Sequence, residues 1–350
     1  MGIYFIMNKI VLTGGGTGGH VTPNLALIDG LKLRFDEIHY IGRECGIERD
    51  LIEKRSDVIY HACPCVKLVR GKILSNLALP VKLVKSINCA KKILRQINPQ
   101  VIFSKGGFVA LPVVLGAGKI PVVLHESDST MGLSNKIASG FADKILSAFE
   151  LPNKKSIVVG APLRKEIYGA YPVRAHHICG FTDDKPVLLI TGGSSGARVI
   201  NNAVEQARDE LIKNFNIVHI AGKGNGCKKM RGYYRCEFVE NMPDFLALCS
   251  LAVTRGGANT LFELVALNKP FIVVPLPKGV SRGDQIENAE YFKNLGCCSV
   301  LSQDDLSPAS LVSTITDCLK NKTSLISAQN KLNEVDGREK IIKILCDYAK

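Results

Sequence analysis

A nine-residue phrase occurs twice in this chain, and it constrains the fold more than any other feature. Leu12-Thr13-Gly14-Gly15-Gly16-Thr17-Gly18-Gly19-His20 follows one short apolar run. Ile190-Thr191-Gly192-Gly193-Ser194-Ser195-Gly196-Ala197-Arg198 follows another, 178 residues later. Both read as strand, TGG turn, glycine, helix, and a repeat at half the chain length means two copies of one supersecondary unit. At 350 residues the chain also exceeds the size at which a single core keeps growing. Runs rich in apolar and β-branched residues at Lys9–Thr13, Ile38–Ile41, Val101–Ser104, Val122–His125, Lys144–Ser147, Val187–Thr191, Ile217–Ala221, Ala252–Thr254 and Phe271–Val274 alternate with helical patterns, notably Pro23–Leu33, Pro80–Ile97 and Ala197–Asn214. Such alternation builds parallel sheets from βαβ units. The sequence therefore predicts an α/β chain of two doubly wound parallel-sheet domains, residues 1–160 and 161–334, joined near Gly160-Ala161-Pro162. A C-terminal helix over about 335–350 is expected to pack back on the first domain. Ligands of doubly wound sheets bind beyond the carboxyl ends of the strands, so two facing domains would form a cleft entered by both glycine loops.

Glycines at such turns let a phosphate approach main-chain N–H groups at a helix N-terminus. Gly14-x-Gly16-x-x-Gly19 formally matches the dinucleotide fingerprint, and Arg43 after the second strand would suit a phosphorylated ribose. An NADP-dependent oxidoreductase is thus one reading, although it leaves the second loop and His20 without a role. A third loop, Thr254-Arg255-Gly256-Gly257-Ala258-Asn259-Thr260-Leu261-Phe262-Glu263, again joins a strand to a helix. Glu263 there can accept both hydroxyls of a ribose; its plainer role is to complement the helix dipole. Asp284 and Gln285, in Gly283-Asp284-Gln285-Ile286-Glu287-Asn288-Ala289, carry short polar side chains suited to sugar hydroxyls or simply start a helix.

The net charge of +13 is concentrated. Val58 to His125 holds ten Lys and Arg and no Asp or Glu over 68 residues. Within it Lys72, Ile73, Leu74, Leu77, Leu79 and Lys82 combine an apolar tip with flanking bases, a pattern suited to an anionic membrane surface. A solvated face is the alternative; nucleic acid is disfavoured, because no aromatic stacking platform accompanies the bases. The apolar runs fall short of the roughly 20 residues of a membrane-spanning helix, and the N-terminus lacks the basic start and cleavage site of a signal peptide. Twelve scattered cysteines with no CxxC read as free thiols in a reducing compartment rather than as zinc ligands or disulfides.

GGGTGGHVTP, HESDSTMGLSNK, GAPLR, TGGSSGAR, TRGGANTLFE and GDQIENA, in that order over roughly residues 8–300, resemble the motifs of the bacterial MurG-type glycosyltransferases. The resemblance implies the GT-B architecture of two Rossmann-like domains. It implies transfer of N-acetylglucosamine, with inversion, from UDP-N-acetylglucosamine to the muramyl sugar of an undecaprenyl-pyrophosphoryl-muramyl-pentapeptide. Carried onto this chain, Ser194, Ser195 and Gly196 would cradle the donor pyrophosphate and Arg164 would neutralise the departing UDP. Glu263 with Thr260 would hold the ribose, backbone near Phe238 and Val239 would read the uracil edge, and Asp284 and Gln285 would bind the transferred sugar. Gly16, Thr17, Gly18, Gly19, Gly106 and Gly107 would face the acceptor pyrophosphate. His20 and Asp128 are the alternative general bases, Asp128 standing where other members carry Asn. Glu126 would assist or orient His125. No metal or other cofactor is implied, since UDP-N-acetylglucosamine is a substrate. The implied partners are the donor, the undecaprenyl-linked acceptor and an anionic membrane surface, with no nucleic acid, and the implied location is the cytoplasmic face of the cell membrane.

Overall fold

The structure, a computed structural model, describes residues 7–65, 79–153, 155–193 and 196–349. The chain divides into two compact units, Met1–Arg164 with Asp336–Lys350, and Lys165–Val335. The division falls at Arg164 rather than at residue 160, because the main chain stays tied to the first unit beyond that point. Val159 donates to Ser147 and Ala161 accepts from Gly337 at 2.7 Å.

The first unit runs β1 (Lys9–Thr13), α1 (Gly18–Leu31), β2 (Glu37–Gly42), α2 (Ile47–Ile52), β3 (Ile59–Ala62), α3 (Leu79–Ile97), β4 (Val101–Ser104), α4 (Leu111–Gly116), β5 (Val122–Glu126), α5 (Leu133–Ala138), β6 (Lys144–Ser147) and β7 (Ser156–Val158). Its sheet is parallel throughout, in the order β3-β2-β1-β4-β5-β6-β7. Alternation along β1 sends Ile10 and Leu12 into one core with Leu27 and Leu31, and Val11 into the other with Leu94 and Ile102. The returning helix Arg338–Cys346 adds Ile341 and Leu345 to the first of these cores.

The second unit runs α6 (Pro172–Cys179), β8 (Val187–Thr191), α7 (Arg198–Asn214), β9 (Asn216–Ile220), β10 (Lys228–Met230), β11 (Tyr233–Cys236), α8 (Met242–Leu248), β12 (Leu251–Thr254), α9 (Ala258–Ala266), β13 (Phe271–Val273), α10 (Asp284–Asn294), β14 (Ser299–Val300), α11 (Pro308–Lys320) and α12 (Lys322–Gln329). Its sheet order is β10-β11-β9-β8-β12-β13-β14, parallel except at β10–β11. In each sheet the order reverses beside the first strand, between β1 and β4 and between β8 and β12. Those are the switch points at which crevices open in doubly wound folds.

The apolar runs coincide with nine of the strands, whereas the inner strand β11, whose Tyr-Tyr-Arg-Cys is not an apolar run, and the edge strands β3, β7, β10 and β14 do not announce themselves. Edge strands are covered on fewer sides, so they carry no continuous apolar run. The helix expected from Pro23 starts five residues earlier, at Gly18, with Pro23 inside it. Along α3 the apolar positions 81, 84, 87, 90, 94 and 97 fall at helical spacing, and this stripe is buried only in its second half, at Ala90, Leu94 and Ile97. Val81 and Val84 are 62% and 56% exposed. Among the described residues no helix is long and apolar enough to cross a membrane.

Candidate active site

At the first switch point the loop after β1 meets the loops after β4 and β5. His20 lies in the first turn of α1, and its Nδ1 is 3.2 Å from the carbonyl oxygen of Lys105, just beyond β4. A carbonyl only accepts, so Nδ1 carries the proton and Nε2 of the neutral ring carries the lone pair. Gly107 makes this approach possible. Its φ is +80°, and a Cβ there would stand 2.5 Å from the Gly15 oxygen and 3.1 Å from His20 Cδ2. Gly106, also at positive φ, lies against the Asn135 amide.

Lys105 is the residue that sequence reasoning counted as one more surface base. It is 1% exposed. Its ammonium donates to His125 Nδ1 at 2.9 Å and to Ser127 Oγ, while His125 Nε2 donates to the Gly160 carbonyl at 3.0 Å. Burial pulls the Lys105 pKa down to about 8, although Glu126 and Asp128 oppose the shift. Burial, and then the Lys105 charge, hold His125 well below the usual histidine range. The only advance sign of Lys105 was its position, directly after a buried strand and before two glycines.

Glu126 is buried with both oxygens committed. Oε1 accepts from the N–H groups of Ser127 at 2.9 Å and Asp128 at 3.1 Å. Oε2 accepts from Gly132 N at 3.0 Å and Asn135 Nδ2 at 2.8 Å. This carboxylate folds the loop that presents Asp128, which is half-buried. On the other side of the glycine loop, buried Glu48 accepts from Gly16 N at 3.2 Å and pairs with Arg43 at 2.7 Å. Burial would raise the Glu48 pKa, but Arg43 and nearby main-chain N–H groups hold it below the ordinary value. Arg43 also lies over the Phe108 ring at 5.2 Å. The arginine considered for a phosphorylated ribose is therefore already matched to a carboxylate. Thr17, Gly18 and Gly19 complete the rim, Thr17 as the N-cap residue of α1.

At the second switch point, Gly192 to Gly196 link β8 to α7; Ser194 and Ser195 lie outside the described residues. Gly196 sits at φ +72°, where a Cβ would fall 2.1 Å from the Ala221 oxygen. Asn201, one turn into α7, donates to that same oxygen at 2.9 Å and accepts from His219 Nε2 at 2.9 Å. His219 Nδ1 lies 2.9 Å from the Tyr233 hydroxyl, which also bonds the Glu205 carboxylate at 3.2 Å. Burial, reinforced by the Arg235 charge, pushes the His219 pKa down to about 4, so the imidazole is neutral and its hydrogen bonds shore up the turn. Neither Asn201 nor His219 was singled out by sequence.

The loop after β12 is clamped from α10. Gln285 Oε1 accepts from Gly256 N at 3.3 Å and Leu276 N at 3.1 Å, and buried Asn288 donates to Gly256 O at 3.0 Å. The buried Arg255 guanidinium donates to Val274 O, Pro275 O and Gln303 Oε1. Glu263 lies mid-α9 and is 3% exposed, Thr260 is half-buried in the same helix, and Asp284 opens α10 beside Arg282 at 3.5 Å. Val239 is buried, and the Phe238 ring beside it is 68% exposed. Arg164 is half-buried and belongs to the first unit, not to the second as the expected boundary had it. Of the residues expected to face a membrane, Lys72, Ile73, Leu74 and Leu77 lie outside the described residues; Leu79 is half-buried and Lys82 exposed at the start of α3. Among the described residues no group of three or more His, Cys, Asp or Glu could hold a metal ion.

Two sheet units, each with a glycine turn at its switch point, have the GT-B architecture, and the family matches below make the class a glycosyltransferase. Solved structures of like fold include Acinetobacter baumannii MurG (TM-score 0.75, 22% identity, covering 97% of this chain and 99% of that one). The calicheamicin glycosyltransferase CalG4 is another (TM-score 0.71, 15% identity, 98% of each chain). The N-terminal domain of glycosyltransferase family 28 matches residues 10–147 and its C-terminal domain residues 187–344. The UDP-N-acetylglucosamine--N-acetylmuramyl-(pentapeptide) pyrophosphoryl-undecaprenol N-acetylglucosamine transferase of Lachnoclostridium phytofermentans is 43% identical, over 97% of this chain and 98% of that protein. The enzyme of that name from Clostridium botulinum strain Alaska E43 is 42% identical over 98% of each. The chain belongs to glycosyltransferase family 28, among the transferases of this name.

Proposed function

We propose that this protein transfers N-acetylglucosamine from UDP-N-acetylglucosamine to the muramyl sugar of undecaprenyl-pyrophosphoryl-muramyl-pentapeptide. The observation that carries the proposal is identity above 40% along almost the whole chain to transferases of that name.

Each unit supplies one half of the chemistry. In the second, the Gly192–Gly196 turn and the start of α7 offer N–H groups and a positive helix end to the donor pyrophosphate. Glu263 with Thr260 takes the ribose, the exposed Phe238 ring and the main chain at Val239 take the uracil, and Asp284 and Gln285 take the sugar. In the first, the Gly16–Gly19 and Gly106–Gly107 loops receive the acceptor pyrophosphate. His20 Nε2 removes the proton of the attacking hydroxyl as that oxygen bonds to the anomeric carbon from the face opposite UDP, which leaves with the electron pair of the broken C–O bond. Arg164 and the glycine-loop N–H groups stabilise the charge growing on UDP without a metal ion. Asp128 is the alternative base.

The acceptor's lipid tail stays in a bilayer, so we place the first unit on an anionic membrane surface. Val81 and Val84 support this placement, exposed among Lys82 and Lys85. The test is transfer of radiolabelled N-acetylglucosamine from the UDP donor to lipid-linked muramyl-pentapeptide. Absence of a labelled lipid product would overturn the proposal.

A further inference from the structure

Arg43, directly after β2, is tied to both glycine loops of the first unit. Its Nε donates to Glu48 Oε1 at 2.7 Å, and Glu48 Oε2 accepts from Gly16 N at 3.2 Å in the loop after β1. Its guanidinium carbon lies 5.2 Å from the centre of the Phe108 ring, in the loop after β4. Phe108 directly follows Gly106-Gly107, and its ring packs so closely on Gly16 that a Cβ there would stand 2.5 Å away. The arginine is held from several sides. The Glu48 side chain is wholly buried, the Tyr60 hydroxyl donates to the Arg43 carbonyl, and Gly46 leaves the space that Nη2 fills.

Glu48 balances the charge of Arg43, so what the pair offers a ligand is geometry rather than net charge. Only the Nε of the guanidinium is spent. Neither Nη1 nor Nη2 has a hydrogen-bond partner among the described residues, and the side chain is 31% exposed. The Gly16 N–H, by contrast, is already engaged by Glu48. Arg43 thus holds open donors at the rim of a loop that has committed one of its own.

We propose that Arg43 binds the acceptor through the open Nη edge of its guanidinium, which takes two oxygens of an anionic group, either a phosphate of the pyrophosphate or a carboxylate of the peptide. The proposal rests on the function given above, which brings the acceptor to the Gly16–Gly19 and Gly106–Gly107 loops. A planar guanidinium matches phosphate and carboxylate alike, with two parallel N–H···O bonds. An arginine already fixed by a buried carboxylate and an aromatic ring loses little further freedom when the ligand arrives.

The test is steady-state kinetics of the full chain with UDP-N-acetylglucosamine and two short-chain lipid-linked muramyl-pentapeptides, one unmodified and one with its peptide carboxylates amidated. Arg43→Gln and Arg43→Lys should each raise the KM for unmodified acceptor about 10–100-fold, the loss expected for a charge-assisted contact. Donor KM and kcat should stay near the wild-type values, as they do when a uniform binding contact is removed. Lysine can keep the ion pair with Glu48 but has no fork. A lysine variant with the wild-type acceptor KM therefore overturns the proposal, whether or not the glutamine variant folds. So does a glutamine variant with that KM, or a lysine variant in which donor and acceptor KM rise together. The amidated acceptor identifies the anion. An equal rise with both acceptors assigns the phosphate, and a rise confined to the unmodified acceptor assigns a carboxylate. A wild type that forms no labelled lipid from either acceptor would instead sink the parent reading.

Discussion

The imidazole of His20 donates from Nδ1 to the main-chain carbonyl of Lys105 at 3.2 Å, which fixes Nε2 as the basic nitrogen. An orienting hydrogen bond on one ring nitrogen leaves the other to take a proton. His20→Ala should therefore lower kcat by about 10²–10⁴, the range for removing a general base. His20→Asn is the sharper variant, since its amide can still donate to the Lys105 carbonyl but cannot take a proton. Both should keep wild-type UDP affinity in a titration calorimeter, because the loops proposed for the donor belong to the other unit. A fully active His20→Asn would reduce His20 to a structural donor.

Glu126 and Asp128, two residues apart, should separate by assay. Glu126→Gln replaces an acceptor of hydrogen bonds from three N–H groups and an amide with a side chain that has one acceptor oxygen. It should cost about 1–3 kcal/mol in stability, read as a lower denaturant midpoint. Asp128→Asn should leave that midpoint near the wild-type value, and its kcat decides its role. Retained turnover makes Asp128 a positioning group; a fall as deep as that of His20→Ala makes it the base.

Gly196→Ala should abolish donor binding with little effect on the first unit. The added Cβ would collide with the Ala221 carbonyl, and φ +72° is strained for alanine. UDP should then no longer raise the melting temperature. Asn201→Ala, which removes the support beneath the same carbonyl, should weaken UDP binding by a smaller margin. Equal protection of wild type and both variants by UDP would contradict the placement of the donor pyrophosphate.

Acid should destabilise this protein before its carboxylates titrate. His39, His61, His125 and His219 all have pKa values lowered by burial, His219 to about 4. An unfolded histidine takes up its proton near pH 6.5. Below that value the unfolded chain binds protons that the folded chain refuses. The stability these groups contribute is thus complete above about pH 6.5 and drains away as pH falls toward the folded values. His39 Nδ1 and His61 Nε2 share a single proton at 2.9 Å, and protonation of both rings would set two N–H groups against each other. The urea midpoint should fall between pH 7 and pH 5. His61→Gln, a permanent neutral donor, should fall less over the same interval, and an identical decline would exclude this pair as a source.

Central strands and glycine loops were legible in the sequence because burial on both faces writes continuous apolar runs and because tight turns demand glycine. Glu263, Asp284 and Gln285 drew notice because they flank such turns, and the structure places them in α9 and at the start of α10. What escaped is what long-range packing decides. Lys105 and Arg255 look like surface bases, and only the folded chain shows each buried among oxygen or nitrogen partners. Glu126 reads as a group that assists or orients His125 until its four hydrogen bonds are seen, none of them to that ring. Asn201 and His219 meet through a helix and a strand 18 residues apart, a contact that no local pattern encodes. The stripe on α3 showed the reverse, since a helical period marks one apolar face without saying whether anything covers its first turns.

That uncovered face carries the prediction about the membrane. The first turns of α3 expose Val81 and Val84 alongside Lys82 and Lys85, while Leu83 is half-buried. Bases near an anionic leaflet contribute about 1 kcal/mol each, an attraction screened by salt. Inserted apolar area adds about 25 cal/mol per Å², which salt does not weaken. Vesicles of anionic lipid should therefore sediment the protein at low ionic strength and release part of it at high salt. Lys82→Glu with Lys85→Glu should remove the salt-sensitive part, Val81→Ser with Val84→Ser should reduce the residue that survives high salt, and all four should bring binding close to background. UDP affinity should be unchanged in each, because the loops proposed for the donor lie in the other unit. Sedimentation of the quadruple variant equal to that of the wild type, at both ionic strengths, would make this half of α3 an ordinary solvated face.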